Sequence, residues 1–245
     1  MERMMGKADN PLRSILNHAS EKYLENQMDL WYILTVIGRN QQTDELGIQG
    51  FYIGRNIECY NLACDLSLKV NFTKLESAPK RIVVYLDEDE FHSTWLGNKA
   101  IYRTRMAIAN GGELIVLAPG VSRFGEDEEI DKLIRTFGYK GTPHTMQSMK
   151  ISGELQKNLS AAAHLIHGSS EGRFRITYCP GHLSKEEIES VGFEFGNLED
   201  MLRRYDIKNL RNGWNVETTE NGSPDEEYYY ISNPALGLWS LKDTC

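Results

Sequence analysis

The chain has 245 residues, 40% of them hydrophobic, with 27 Lys and Arg against 35 Asp and Glu and a net charge of −8. That length supports one large or two small domains with a substantial core. The acid excess argues against a general nucleic-acid or membrane-surface binder, because phosphate recognition needs clustered Lys and Arg, and no apolar run nears the ~18 residues of a membrane span.

Asn10-Pro11 is a helix start, a capping residue followed by Pro at the first helical position, and the helix is expected to reach about Leu24. Residues 30–37 (LWYILTVI) form a nearly continuous apolar run and read as a strand buried on both faces. Residues 40–47 are polar turn material, and 48–53 read as a second, paired strand. A helix follows over 56–70. Then comes a strand at 81–86, a helix capped by Ser93 or Thr94 and running to about Ala109, and a stop at Asn110-Gly111-Gly112. Residues 113–118 (ELIVLA) are the next strand, and 126–137 an acidic-first helix suited to the helix dipole. Thr142-Pro143 opens a helical stretch to about His167, bent near Gly153. Residues 174–179 form a strand, Ser184 and Glu187 a capping box, 198–205 a helix, 211–226 a polar loop and 227–232 the last strand.

Strand–helix–strand units of this length predict an α/β fold, with a mainly parallel, Rossmann-like sheet and helices on both faces. Ligands on such sheets bind beyond the carboxyl ends of the strands, which directs attention to residues 87–94, 118–126 and 179–184. In the helix after the first of these loops, Trp95, Lys99, Tyr102 and Met106 share one narrow face. Lys99 there can bind a carboxylate or phosphate, or can lay its stem over apolar surface with its charge in water. Asp87, Glu88, Asp89 and Glu90 can hold a hard cation or form a solvated loop, and His92 is a nearby acid/base candidate. The loop from Pro119 to Gly125 offers Ser122, two glycines that permit close backbone approach, and the free N–H groups of the next helix. It lacks the G-x-S-x-G spacing of a nucleophile elbow, and neither GxGxxG nor GxxxxGK[ST] occurs in the chain. His164 and His167 share a helix face, and His144 lies near, but no His-x-x-x-His or Glu-x-x-His pattern selects a metal site. Cys59, Cys64, Cys179 and Cys245 form no CxxC and no zinc spacing, so they read as reduced thiols of a cytoplasmic protein, and the opening residues show no signal peptide.

The order of these elements, with Asn98-Lys99-Ala100-Ile101 followed by Asn110-Gly111-Gly112 and the strand to Ala118, resembles the C-terminal half of the lactate racemase family. Gly6 to Pro11, Arg173 to Pro180, Leu183 to Phe193 and Tyr228 to Leu238 are similar to further segments of that family. The resemblance implies a single α/β domain over 1–245, with Met1 opening a fragment or a separately encoded half. It implies a partner, the N-terminal domain of the same enzyme, which carries a nickel-pincer nucleotide and supplies the nickel and proton-transfer residues. It also implies isomerase chemistry, racemisation or epimerisation of a 2-hydroxy acid or a sugar or polyol acid, with no catalytic residue or metal ligand on this chain. The family's Tyr-Gln-x-Gln-Lys patch matches at Lys99. Trp95, Leu96 and Asn98 replace its other polar positions, and Asp87 to Glu90 replace its substrate loop. Lys99, Trp95, Asn98, Ser122, Gln156 and Lys157 are thus the expected substrate-binding residues. The alternative expectation is a non-catalytic module that binds a small anion or docks a protein.

Overall fold

The computed structural model describes residues 4–24, 27–39, 45–217 and 226–242. One domain over 1–245 is the sequence expectation; the Cα packing divides the chain into two compact units, Met1–Thr73 with Leu236–Leu238, and Lys74–Ala235 with Trp239–Cys245.

In the first unit, α1 (Pro11–Tyr23) begins as expected: Asn10 is extended and its side-chain oxygen accepts the Arg13 N–H at 2.9 Å. Strands β1 (Tyr32–Arg39) and β2 (Leu46–Gly54) pair antiparallel, with Ile33 opposite Ile53, Thr35 opposite Phe51 and Ile37 opposite Ile48. Of the turn expected over 40–47, residues 40–44 lie outside the described residues. Helix α2 (Ile57–Asn71) packs on one face of this ribbon. Glycines make the approach possible. A Cβ on Gly38 would lie 2.1 Å from Val70, one on Gly50 2.3 Å from Leu66, and one on Gly54 2.7 Å from Cys59. The expectation for residues 30–37 is corrected here: β1 alternates, and its outward side chains Ile33, Thr35 and Ile37 are exposed. Strand β3 (Phe72–Leu75) leads out of this unit.

The second unit runs β4 (Arg81–Tyr85), α3 (Thr94–Gly97), α4 (Lys99–Thr104), β5 (Glu113–Ala118), α5 (Glu128–Phe137), α6 (Thr142–Ile151), α7 (Gly153–Lys157) and α8 (Leu159–His167). It continues β6 (Arg175–Pro180), α9 (Lys185–Ser190), β7 (Glu194–Phe195), α10 (Leu198–Arg204), β8 (Gly213–Glu217) and β9 (Glu226–Ile231), with all but the first residue of β10 (Leu238–Leu241). Six strands form one sheet in the order β7-β6-β5-β4-β9-β8, parallel throughout except that β8 runs antiparallel to β9. Period-2 alternation divides the apolar strands between two faces. Ile82, Val84, Leu114, Val116 and Ile176 face the larger core with α4, α5, α8 and α9, while Val83, Ile115 and Leu117 face a smaller one with Tyr205 and α10. The α/β class, the mainly parallel sheet and helices on both faces are therefore present. Strand β8 falls where a polar loop was expected over 211–226; residues 218–225 of that loop lie outside the described residues.

Candidate functional site

Three loops meet at the carboxyl ends of β4, β5 and β6, and glycines pack their backbones together. A Cβ on Gly120 would lie 2.4 Å from the Glu88 carbonyl oxygen, and one on Gly181 would lie 1.9 Å from that of Pro119. Backbone bonds add to this contact: Ser122 N–H donates to His92 O (3.0 Å), Thr94 N–H to Arg123 O (3.0 Å) and Trp95 N–H to Phe124 O (2.8 Å). The glycine of this loop that was expected to admit a ligand, Gly120, is filled by the neighbouring loop. Gly125 lies against the backbone of Ile130 and Asp131.

The anion site expected at the start of the acidic helix is also occupied from within. Asp131 accepts the Phe124 and Gly125 N–H groups at 2.7 and 3.1 Å, and Asp127 accepts the Ile130 N–H at 2.8 Å. Burial pushes the Asp131 carboxyl up, but hydrogen bonds from Arg135, Gly125 and Phe124 outweigh it and hold it below the usual carboxylate range. An open cleft of about 440 Å³ beside it is lined by both signs of charge, Arg123, Lys132 and Arg135 among Glu126, Asp127 and Glu128.

The helix expected over 94–109 is interrupted. Ser93 caps α3, its hydroxyl accepting the Leu96 N–H, and the helix tightens at Asn98 before α4. Gly97 is held where a Cβ would sit 2.6 Å from the Tyr178 hydroxyl. Of the expected face, Trp95 lies on α3 and Lys99 and Tyr102 on α4, all half-buried; α4 ends at Thr104 rather than near Ala109, so Met106 lies beyond the helix. The Lys99 ammonium lies 5.5 Å from the centre of the Phe91 ring, a cation–π distance.

Behind Trp95 lies a buried polar chain. Tyr139 Oη is 2.8 Å from Thr94 Oγ1 and 3.1 Å from His164 Nε2, and Thr94 Oγ1 donates to the Phe124 carbonyl at 3.0 Å. A carbonyl only accepts, so the Thr94 proton goes to it. Tyr139 then donates to Thr94, and His164 donates from Nε2 to Tyr139. That order assigns His164 as the neutral Nε2–H tautomer. Burial, with His167 adding to it, pushes the His164 imidazole down to about 3, consistent with a neutral ring. Burial likewise raises Tyr139 well above its usual value. The Trp95 and His164 ring centres are 4.2 Å apart, so this chain backs the indole. Tyr139 and Thr94 carry no sequence signal for this role, because 45 residues separate them.

The structure brings Trp95, Asn98 and Lys99 together on α3 and α4. Asn98 is 0% exposed, and its carboxamide has no hydrogen-bond partner of good geometry among the described residues. Ser122 joins them only through the stitched loop backbones, and its side chain is exposed. Gln156 and Lys157 are exposed on α7, and among the described residues no hydrogen bond links them to Trp95, Asn98 or Lys99. Asp87 to Glu90 form an exposed turn in which Asp87 accepts the Asp89 N–H and Glu90 accepts from Asn233. Among the described residues no three His, Cys, Asp or Glu side chains are placed to hold a metal ion. Cys59, Cys64 and Cys179 are free thiols, burial pushing Cys179 up to about 12; Cys245 lies outside the described residues. No described helix is long and apolar enough to cross a membrane.

No family model matches the chain, and no curated protein sequence matches it. Solved structures do. A crystal structure of a protein from Thermotoga maritima aligns over 98% of this chain and 56% of its own, with TM-score 0.72 and 22% identity. The lactate racemase apoprotein from Thermoanaerobacterium thermosaccharolyticum aligns over 94% of this chain and 50% of its own, with TM-score 0.63 and 10% identity. These likenesses establish a shared fold, and this chain spans about half the length of either structure.

Proposed function

We propose that this chain is the C-terminal half of a lactate-racemase-like isomerase and supplies the face that meets a 2-hydroxy acid or a sugar or polyol acid. The supporting observation is Lys99. It is half-buried on α4, beside loops at the carboxyl ends of a parallel sheet, in a fold shared with a lactate racemase apoprotein. A lysine in that setting binds a substrate carboxylate, with Trp95 as a rigid wall fixed by His164 and Tyr139. Lys99 and Trp95 bind and orient. Ser122 offers an exposed hydroxyl on the stitched loop, and Gln156 and Lys157 stand as outer contacts on this reading. Asn98 acts from beneath the surface.

The family resemblance implies a nickel-pincer nucleotide on an N-terminal partner domain, a group that supplies hydride transfer when bound. With no cluster of metal-ligating side chains among the described residues, this chain does not fit as its nickel site. The second reading, a small-anion binding or protein-docking module without catalysis, is favoured by one observation: the position of the family's second glutamine holds Asn98, which is fully buried.

Calorimetric titration of lactate, other 2-hydroxy acids and sugar acids into the chain tests both readings, followed by racemisation assays with the partner domain and cofactor present. Lys99→Ala is expected to weaken carboxylate binding at least about tenfold, the ~1.4 kcal/mol of one charge-assisted contact. Unchanged affinity and turnover in that variant would remove Lys99 from the site. Wild-type binding without turnover in the loaded two-domain enzyme would select the second reading.

A further inference from the structure

The β1–β2 ribbon has two faces, and among the described residues only one is covered. Helix α2 seals the inner face through Gly38, Gly50 and Gly54. On the outer face, Ile33, Ile37, Leu46, Ile48, Phe51 and Ile53 are each 53–66% exposed. The register sets them side by side: Ile33 opposite Ile53, Ile37 opposite Ile48, and Phe51 opposite Thr35. At about 100 Å² per half-exposed side chain this is roughly 600 Å² of contiguous apolar surface, the upper end of what a monomer leaves open. It approaches the ~800 Å² that each partner contributes to a standard interface.

Two further observations bear on what covers it. The run from 30 to 37 has the nearly continuous apolar composition of a strand with both faces buried, so the sequence is built for a second cover. The first unit is also short of core: α1 buries none of its residues, and α2 buries only Cys59 and Ala63. The solved structures of the same fold extend about twice as far as this chain, which matches only 56% and 50% of them.

We infer that the outer face of the β1–β2 ribbon docks a further folded segment of the same polypeptide, an apolar layer completing the first unit as a domain. The inference rests on the partner-domain part of the proposed function and not on its substrate. The geometry favours a covalently joined occupant over a second copy, because the patch alone falls short of a standard interface while a tethered partner binds at high effective concentration.

The test compares this 245-residue chain with the longest polypeptide that its reading frame encodes. Hydroxyl-radical footprinting reads modification of Phe51, and light scattering reads mass. The expected result is free modification in the short chain and at least about tenfold slower modification in the long one, as for a buried interface core. In the short chain, Ile48→Lys with Phe51→Lys is expected to abolish binding of an apolar dye at unchanged secondary structure. In the long one, the same pair is expected to lower Tm by more than about 5 °C, the scale of a lost core contact. Equal Phe51 modification in both polypeptides would overturn the inference, as would a reading frame of only these residues. Protection lost when a long-chain dimer is diluted would overturn it too, assigning the face to a second copy. Each readout is independent of hydroxy-acid binding, so failure of the substrate proposal leaves it standing.

Discussion

Replacing His164 by Gln isolates the cost of keeping an imidazole neutral in the core of the second unit. His164 titrates near 6.5 in an unfolded chain. Burial against Trp95 and Tyr139, with His167 adding, lowers it to about 3 in the folded one. Between these values the unfolded state binds a proton that the folded state refuses, so stability falls as pH falls, at up to about 1.4 kcal/mol per unit. By pH 5 the loss from this group is about 2 kcal/mol. The carboxylates held low by their partners, Asp131, Glu171, Glu187 and Glu217, surrender stability only at lower pH, so the window from 6.5 to 5 belongs to the histidines. His167, also lowered mainly by burial, contributes with the same sign in both proteins compared. The assay is urea unfolding at pH 7 and pH 5, with tryptophan fluorescence as the signal. Glutamine keeps an amide donor for Tyr139 but cannot titrate. The variant is expected to be less stable at pH 7 and to lose about 2 kcal/mol less than wild type on acidification. An identical acid loss in the two proteins would refute the placement of a neutral, buried imidazole at 164.

Tyr139→Phe removes the central link between His164 and Thr94, leaving the buried His164 Nε2–H without its partner while Thr94 keeps the Phe124 carbonyl, and is expected to cost about 1–3 kcal/mol in the same unfolding assay. Gly181→Ala drives a methyl group into the Pro119 carbonyl and is expected to cost about 1–3 kcal/mol or more, with chemical-shift changes by NMR concentrated in the stitched loops. Asp131→Asn retains one acceptor for Phe124 and Gly125 but gives up the charge facing Arg135. It is expected to destabilise by about 1–2 kcal/mol at pH 7. That difference should shrink as pH falls through the lowered carboxyl value, which urea midpoints at pH 7 and pH 3 would measure.

Much of the fold was legible because its signals are local. Asn10-Pro11, Ser93, and Ser184 with Glu187 mark helix starts through hydrogen bonds that span three residues, whereas the stop expected at Asn110-Gly111-Gly112 falls past the end of α4 at Thr104. The runs at 81–86, 113–118 and 174–179 are apolar enough to demand cover on both faces, which gives a parallel sheet with helices around it. Three features were not legible. The break at Asn98 follows a weak helix pair, Gly97-Asn98, but what holds it is the packing of Gly97 against Tyr178 on β6. Strand β8 is polar enough to pass for a loop, and its place is set by pairing with β9. The run at 30–37 asks for two covers and the described structure holds one.

The candidate site divides along the same line. From the residues alone came the pairing of Trp95 and Lys99 four positions apart, because a helix repeats every 3.6 residues. Only the tertiary structure buried Asn98, separated Gln156 and Lys157 from that face, filled the cleft at Gly120 with the backbone of Glu88, and turned the anion-ready start of α5 onto Asp131. It also assembled Thr94, Tyr139 and His164 behind Trp95. Local order is written in backbone hydrogen bonds between near neighbours. Which loops meet beyond a sheet, and whether their donors are already satisfied, is decided by contacts between residues tens of positions apart.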